Sequence, residues 1–190
     1  MKRLIFALLG IALWSNGALA QSSPGASKAQ ICLTCHQPEH RLSAMPLLEG
    51  QPAEYLYLQL KAYKDKQRSD PTMTMPSSAA NLYDLDMREI STFFATQRPP
   101  SVAFQIDSTK VASGQYKAAE YGCLKCHVTE LSMSGATPRL AGQAVGYTIA
   151  QLQAFATDSR KHGIGASARM VAPLSATDID DLANYFAQMK

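Results

Sequence analysis

Every cysteine in the 190-residue chain lies in one of two matching motifs, Cys32-Leu33-Thr34-Cys35-His36 and Cys123-Leu124-Lys125-Cys126-His127. Two thiols at this spacing lie a little under one helical turn apart. They can form thioethers with both vinyl groups of a haem, and the adjacent imidazole then comes up beneath the iron. Cys32, Cys35, Cys123 and Cys126 are therefore read as two covalent haem c attachment sites, with His36 and His127 as iron ligands. Four thiols also admit a tetrahedral zinc site or two thioredoxin-like redox pairs. Neither accounts for the two histidines, and a redox pair wants a βαβ context where this sequence reads helical or irregular.

The N-terminus supplies a compartment in which such attachment is possible. Met1-Lys2-Arg3 is a basic start, Leu4 to Trp14 an apolar core of 11 residues, and Ala18-Leu19-Ala20 a small-residue cleavage site. That core is short of the roughly 20 residues needed to span a bilayer, so residues 1–20 read as a cleaved signal peptide and not as an anchor. Gln21 follows the cut, leaving no cysteine there to take a lipid. The mature chain is expected to be soluble, periplasmic and without a membrane span. The 18 basic residues less Lys2 and Arg3 leave 16 against 15 acidic ones, a nearly neutral protein without the basic stripe of a nucleic-acid binder.

The elements that position the motifs are duplicated. Cys32 and His36 recur at an offset of 91, and from there the offset is 92: Pro46-x-Leu48-x-Gly50-Gln51 matches Pro138-x-Leu140-x-Gly142-Gln143. Tyr55, Gln59-Leu60, Arg68, Leu82, Asp86 and Phe94 likewise match Tyr147, Gln151-Leu152, Arg160, Leu174, Asp178 and Phe186. Each copy reads as a haem motif, a Pro/Gly loop, a middle helix, an irregular Met-bearing segment and a final helix. The middle helices start near Pro52 and Ala144, with apolar spacing at Leu56, Leu60, Tyr63 and at Ile149, Leu152, Ala156. The last helix opens on a Ser175-x-x-Asp178 capping box and carries Ile179, Leu182, Ala183 and Phe186 on one face. Its counterpart runs from about Asp84 with Ile90, Phe93 and Phe94. No stretch shows period-2 alternation, so the fold class is all-α: two tandem domains, residues 21–98 and 99–190, joined by the helix-breaking run 97–101.

The second axial position separates a carrier from an enzyme, because a protein ligand there closes the iron. In the first domain the candidates are Met73 and Met75, in a Thr/Pro/Ser loop, with Met75 preferred. In the second, position 167 is serine, and Met170 after a glycine-rich stretch is preferred to the rival His162. His40, Met45 and Met133 read as loop or haem-edge packing, Met87 and Met189 as structural or surface residues.

With these features in place, the whole mature chain resembles the dihaem cytochrome c4 family. The resemblance rests on both C-x-x-C-H motifs, both Pro-x-Leu-x-Gly-Gln segments, both Tyr...Gln-Leu helices and Leu174 to Ile179. It implies two covalent haems c, His/Met ligation of both irons, and two domains about a pseudo-twofold axis with haem edges facing across the interface. It also implies periplasmic electron transfer, without catalysis, between redox partners such as a terminal oxidase and a quinol-oxidising complex. By the same resemblance Pro46 and Pro138 would offer carbonyls to the proximal histidines; Arg68 and Arg160 would approach propionates or stay solvated. Two other functions stay open: a fixed haem subunit of a dehydrogenase or oxidase complex, and a haem enzyme or sensor with an open second iron.

Domains of about 80 residues have thin cores and commonly need a staple. Haem is expected to be that staple, so chain stripped of haem should lose most of its helical circular dichroism; a native-like spectrum would refute this.

Overall fold

The computed structural model describes residues 23–37, 45–101, 103–127, 135–162 and 174–190. The expected signal peptide, His40, Met133 and Met170 lie outside these residues. All regular structure among the described residues is helical. None of these helices is long and apolar enough to cross a membrane.

The first half contains α1 (Pro24–His36), α2 (Ala53–Lys64), the short α3 (Thr74–Ala79) and α4 (Asp84–Thr96). The second contains α5 (Ser108–Glu120), a 3₁₀ turn (Cys123–Lys125), α6 (Val145–Ala156) and α7 (Ala176–Gln188). α2 and α6 start and stop 92 residues apart, as do α4 and α7. Pro52 and Ala144, the expected starts, are the N-cap residues. In each half the final helix packs on both the leading and the middle helix. The two small cores are Ala29, Leu56, Ile90 and Phe94, and Ala118, Leu174, Ile179, Leu182 and Phe186. The apolar stripes expected of α4 and α7 supply two of the four residues of the first core, Ile90 and Phe94, and three of the five of the second, Ile179, Leu182 and Phe186. Met87, left between structural and surface roles, is buried.

Local chemistry explains the helix ends. The Ser23 hydroxyl accepts from the Ala26 N–H at 3.2 Å, and Pro24 sits where a missing N–H costs nothing. The capping box opens α7 as expected, with Ser175 Oγ accepting from the Asp178 N–H at 3.1 Å and the Asp178 carboxylate accepting from the Ser175 N–H at 3.1 Å. In α4 Asp86 accepts from the Tyr83 N–H at 2.9 Å. Between α4 and α5 the described chain is irregular, and the expected linker 97–101 and the 98/99 boundary both fall there.

The leading helices repeat at neither 91 nor 92. Gly25 faces the Glu89 carbonyl and Gly114 the Asp181 carbonyl, so closely that a Cβ on either glycine would collide with backbone. Lys28 pairs with Asp86 at 2.6 Å, and Lys117 with Asp178 at 3.2 Å. Ala29 and Ala118 are both fully buried. Gly25, Lys28 and Ala29 thus correspond to Gly114, Lys117 and Ala118 at an offset of 89. Two residues more lie between the helix crossing and the motif in the second half. Tyr121 and Gly122, the latter at φ +68°, end α5 and place the second motif in a 3₁₀ turn. In the first half the motif stays on α1 through its last residue, His36.

Alanine at Gly114 would gain up to about 1 kcal/mol of helix propensity. Because the obstacle is a backbone carbonyl, Gly114→Ala is nevertheless expected to destabilise by about 1–3 kcal/mol, seen as a lower urea midpoint with unchanged slope. An unchanged or raised midpoint would show that the helices can separate freely.

Candidate functional site

The end of α1 buries His36 to 5% exposure, leaving Cys32 half-buried and Cys35 exposed. In the second half the 3₁₀ turn holds Cys123 half-buried, Cys126 exposed and His127 half-buried, and the His127 N–H donates to the Cys123 carbonyl at 3.1 Å. His36 Nδ1 lies 3.2 Å from the Pro46 carbonyl oxygen, and His127 Nδ1 lies 2.8 Å from that of Pro138. A carbonyl can only accept, so in both rings Nδ1 carries the proton and Nε2 keeps its lone pair. Burial pushes both imidazoles below the usual histidine range, against an opposing effect of the carbonyls; at His127 the neighbouring His162 pushes the same way. Neutral rings with a fixed tautomer and a basic Nε2 are what metal ligation requires.

Burial pushes the Cys32 and Cys123 thiols up, away from the thiolate form that metal binding and disulfide exchange need. No three His, Cys, Asp or Glu side chains converge to hold a metal ion among the described residues.

The methionine segment of the first half is organised by one carboxylate. Asp70 accepts from the N–H groups of Thr72 at 3.0 Å, Thr74 at 3.3 Å and Met75 at 2.9 Å, and from the Thr72 hydroxyl. Burial raises the Asp70 carboxyl, but these donors together outweigh it and hold the group below its usual range. Met73, at φ +56°, is 54% exposed as the N-cap of α3, whereas Met75 lies half-buried on that helix. In the second half the described chain reaches His162, whose ring centroid lies 6.0 Å from that of His127 and 4.9 Å from that of Phe155.

Between the halves lies a polar cluster in which the same residues from each half meet. Arg68 donates to Gln59 at 2.7 Å, to the Tyr147 hydroxyl at 3.1 Å and to Gln151 at 2.9 Å. Arg160 mirrors it, donating to Gln151, to the Tyr55 hydroxyl at 3.2 Å and to Gln59 at 2.9 Å. Arg68 is only 7% exposed, so it is not solvated, and all of these acceptors are neutral. Gln51 and Gln143, 3% and 6% exposed, cross to the opposite half as well. The sequence reading had placed Tyr55, Gln59, Gln51 and their counterparts in the repeat without giving them a role. The signal was there, because a pseudo-twofold interface must present one patch twice.

Residues 111–190 match the cytochrome c family model. The chain is 30% identical to cytochrome c4 of Pseudomonas aeruginosa over a 202-position alignment, covering 97% of this chain and 98% of that protein. The chain belongs to the cytochrome c4 family. It also resembles the crystal structure of reduced recombinant cytochrome c4 from Pseudomonas stutzeri, with a TM-score of 0.73 at 27% identity over 87% of this chain and 97% of that one. A relative from Thiomonas intermedia, the thiosulfate dehydrogenase electron acceptor, is 27% identical over 84% of this chain and 78% of its own. The chain is thus a c-type cytochrome, an electron carrier with two covalently bound haem c groups.

The residues present fit those groups. Partly buried apolar side chains pack against each core: Leu33, Leu48, Leu60 and Leu82 in one half, Leu124, Leu140, Ile149 and Leu152 in the other. Arg139 Nε is buried without a hydrogen-bond partner, and the Glu49 carboxylate acts on the charge of its guanidinium.

Arg68→Met would leave Gln59, Gln151 and Tyr147 short of a charged donor. It is expected to destabilise the holoprotein by roughly 1.5–3 kcal/mol and to split its calorimetric unfolding into two transitions. A single transition at the wild-type temperature would show that the cluster does not join the halves.

Proposed function

We propose that this chain is exported to the periplasm by residues 1–20, matures as two domains at 21–98 and 99–190, and shuttles electrons between respiratory partners. The observation that carries the reading is the pair of neutral histidines, each following C-x-x-C and each aimed by a carbonyl on Nδ1. Cys32 and Cys35 would tether one haem, with His36 and Met75 as axial ligands. Cys123 and Cys126 would tether the other, with His127 and Met170. The half-buried position of Met75, against the exposure of Met73, supports that choice.

The iron supplies a one-electron couple whose potential the protein tunes through ligand, burial and hydrogen bonding. The residues of this chain do the tuning. His36 and His127 present a basic Nε2 because Nδ1–H is tied, and Asp70 fixes the approach of Met75 through its backbone. Arg68, Arg160 and Arg139 place positive charge at the interface. Electrons would enter through one exposed edge, cross the interface and leave from the other half, in small and transient encounters with partners.

One observation favours a second reading of the second iron. The ring centroids of His127 and His162 are 6.0 Å apart, so His162 is the alternative to Met170. The Thiomonas intermedia relative, described as an electron acceptor of a dehydrogenase, supports a fixed complex as the alternative to a free shuttle.

An optical and near-infrared spectrum with pyridine haemochrome counting tests these assignments. The expected result is two c haems, no response to carbon monoxide, and a far-red thioether-to-iron band that Met75→Leu and Met170→Leu each reduce by half. A band abolished by Met75→Leu alone moves the second ligand to His162. Carbon monoxide binding to the untreated protein replaces the carrier with an enzyme or sensor.

A further inference from the structure

The peptide bond that orients each proximal histidine is itself held by a glutamine of the other half. In the first half His36 Nδ1–H donates to the Pro46 carbonyl at 3.2 Å. The N–H of that same peptide unit belongs to Leu47 and donates to Gln143 Oε1 at 2.8 Å. Gln143 Nε2 donates back to the Leu47 carbonyl at 3.1 Å. In the second half His127 Nδ1–H donates to the Pro138 carbonyl at 2.8 Å, and the N–H of that peptide, on Arg139, donates to Gln51 Oε1 at 2.9 Å. Gln51 Nε2 donates back to the Arg139 carbonyl at 2.9 Å. An N–H needs an oxygen and a carbonyl needs an NH₂, so the orientation of both amides is fixed by their partners.

We propose that Gln51 and Gln143 are positioning residues that tune the haem of the opposite half through these hydrogen-bonded peptides. The proposal rests on the haem reading above, with His36 and His127 as proximal ligands. The physical basis is polarisation along a chain of hydrogen bonds. An oxygen on the N–H end of a peptide makes its carbonyl a stronger acceptor, by about 10–30% per bond. A stronger acceptor at Nδ1–H makes Nε2 more basic, which favours oxidised iron and lowers its potential. Both glutamines are at least 94% buried, so water cannot replace them without opening the interface. The arrangement is crossed: Gln143 acts on His36, and Gln51 acts on His127. Each half is thereby sensitive to how the other is docked.

The test is Gln143→Met and Gln51→Met in the haem-loaded full chain. Each haem's reduction potential is read by spectroelectrochemistry and by nuclear magnetic resonance signals assigned to each half. Gln143→Met is expected to shift the reduction equilibrium of the His36 haem about threefold towards reduction, about 28 mV upward at 59 mV per tenfold for one electron, and to leave the other haem in place. Gln51→Met is expected to do the same to the His127 haem alone. Gln143→Glu keeps an oxygen on the Leu47 N–H and should leave the His36 haem at or below its wild-type potential. The proposal is overturned if the shift falls on the haem of the mutated half, falls equally on both, or is absent although the Leu47 amide has become freely exchangeable with deuterium. A rise with Gln143→Glu equal to that with Gln143→Met overturns it too. A wild-type chain without two c haems defeats the haem reading instead, and amide exchange at Leu47 and Arg139 still reports whether the glutamine bonds exist.

Discussion

A histidine can bind a metal only while one ring nitrogen keeps its lone pair, and in His36 and His127 the tautomer that leaves Nε2 free of a proton is set by a single hydrogen bond in each half, from Nδ1–H to a proline carbonyl. Proline suits the position because its φ is fixed, so the carbonyl that follows is held with little freedom left to lose. The loop bearing that carbonyl is pinned to the final helix: the Gly50 N–H donates to the Phe94 carbonyl at 3.0 Å and the Gly142 N–H to the Phe186 carbonyl at 2.8 Å. Both glycines sit at φ near +70°, where other residues are strained. The Pro-x-Leu-x-Gly-Gln segment is therefore one device: proline aims the imidazole, glycine makes the turn onto the core, and glutamine reaches across to the other half.

Duplication explains why the interface is polar yet closed. A patch that must face its own copy does best with groups that both donate and accept, and glutamine and tyrosine have that property. The arginines add specificity at some cost, since two like charges enter a buried layer whose named acceptors are all neutral. A guanidinium that lost these acceptors while still shut away from water would be unfavourable by several kcal/mol. Rigid docking of the halves suits the function. Electron transfer between two centres of one chain depends on a fixed separation, and a hinged pair would vary it.

The two halves are not equivalent. Tyr121 and Gly122 move the second motif off the helix, His127 is less buried than His36, and its Nδ1 bond is shorter by 0.4 Å, 2.8 Å against 3.2 Å. The segment that carries Met75 in the first half is held by Asp70, and His162 stands at the position 92 residues later. One half thus has a carboxylate organising its loop where the other has an imidazole beside His127. Two haem sites built from one duplicated plan can differ in potential through such local changes in hydrogen bonding and ligand environment.

What the sequence determined by itself was local. The C-x-x-C-H spacing, the amphipathic stripes of α4 and α7, the Ser175 capping box and the 92-residue period each depend on residues within a few turns of one another, or on a repeat read by counting. What only the tertiary structure decided was which long-range partners meet. The interface bonds join residues from 79 to 105 positions apart, and no local periodicity encodes such a pairing. The 89-residue offset of the leading helices emerged in the same way, because Gly25 and Gly114 are equivalent through the carbonyls they pack against and not through their neighbours in sequence. Arg68 looked like a solvated cation or a propionate partner, and its burial against Tyr147 and Gln151 follows from docking two folded halves. Sequence fixes chemistry where atoms are covalently near; the interface is decided by surfaces that exist only once both halves have folded.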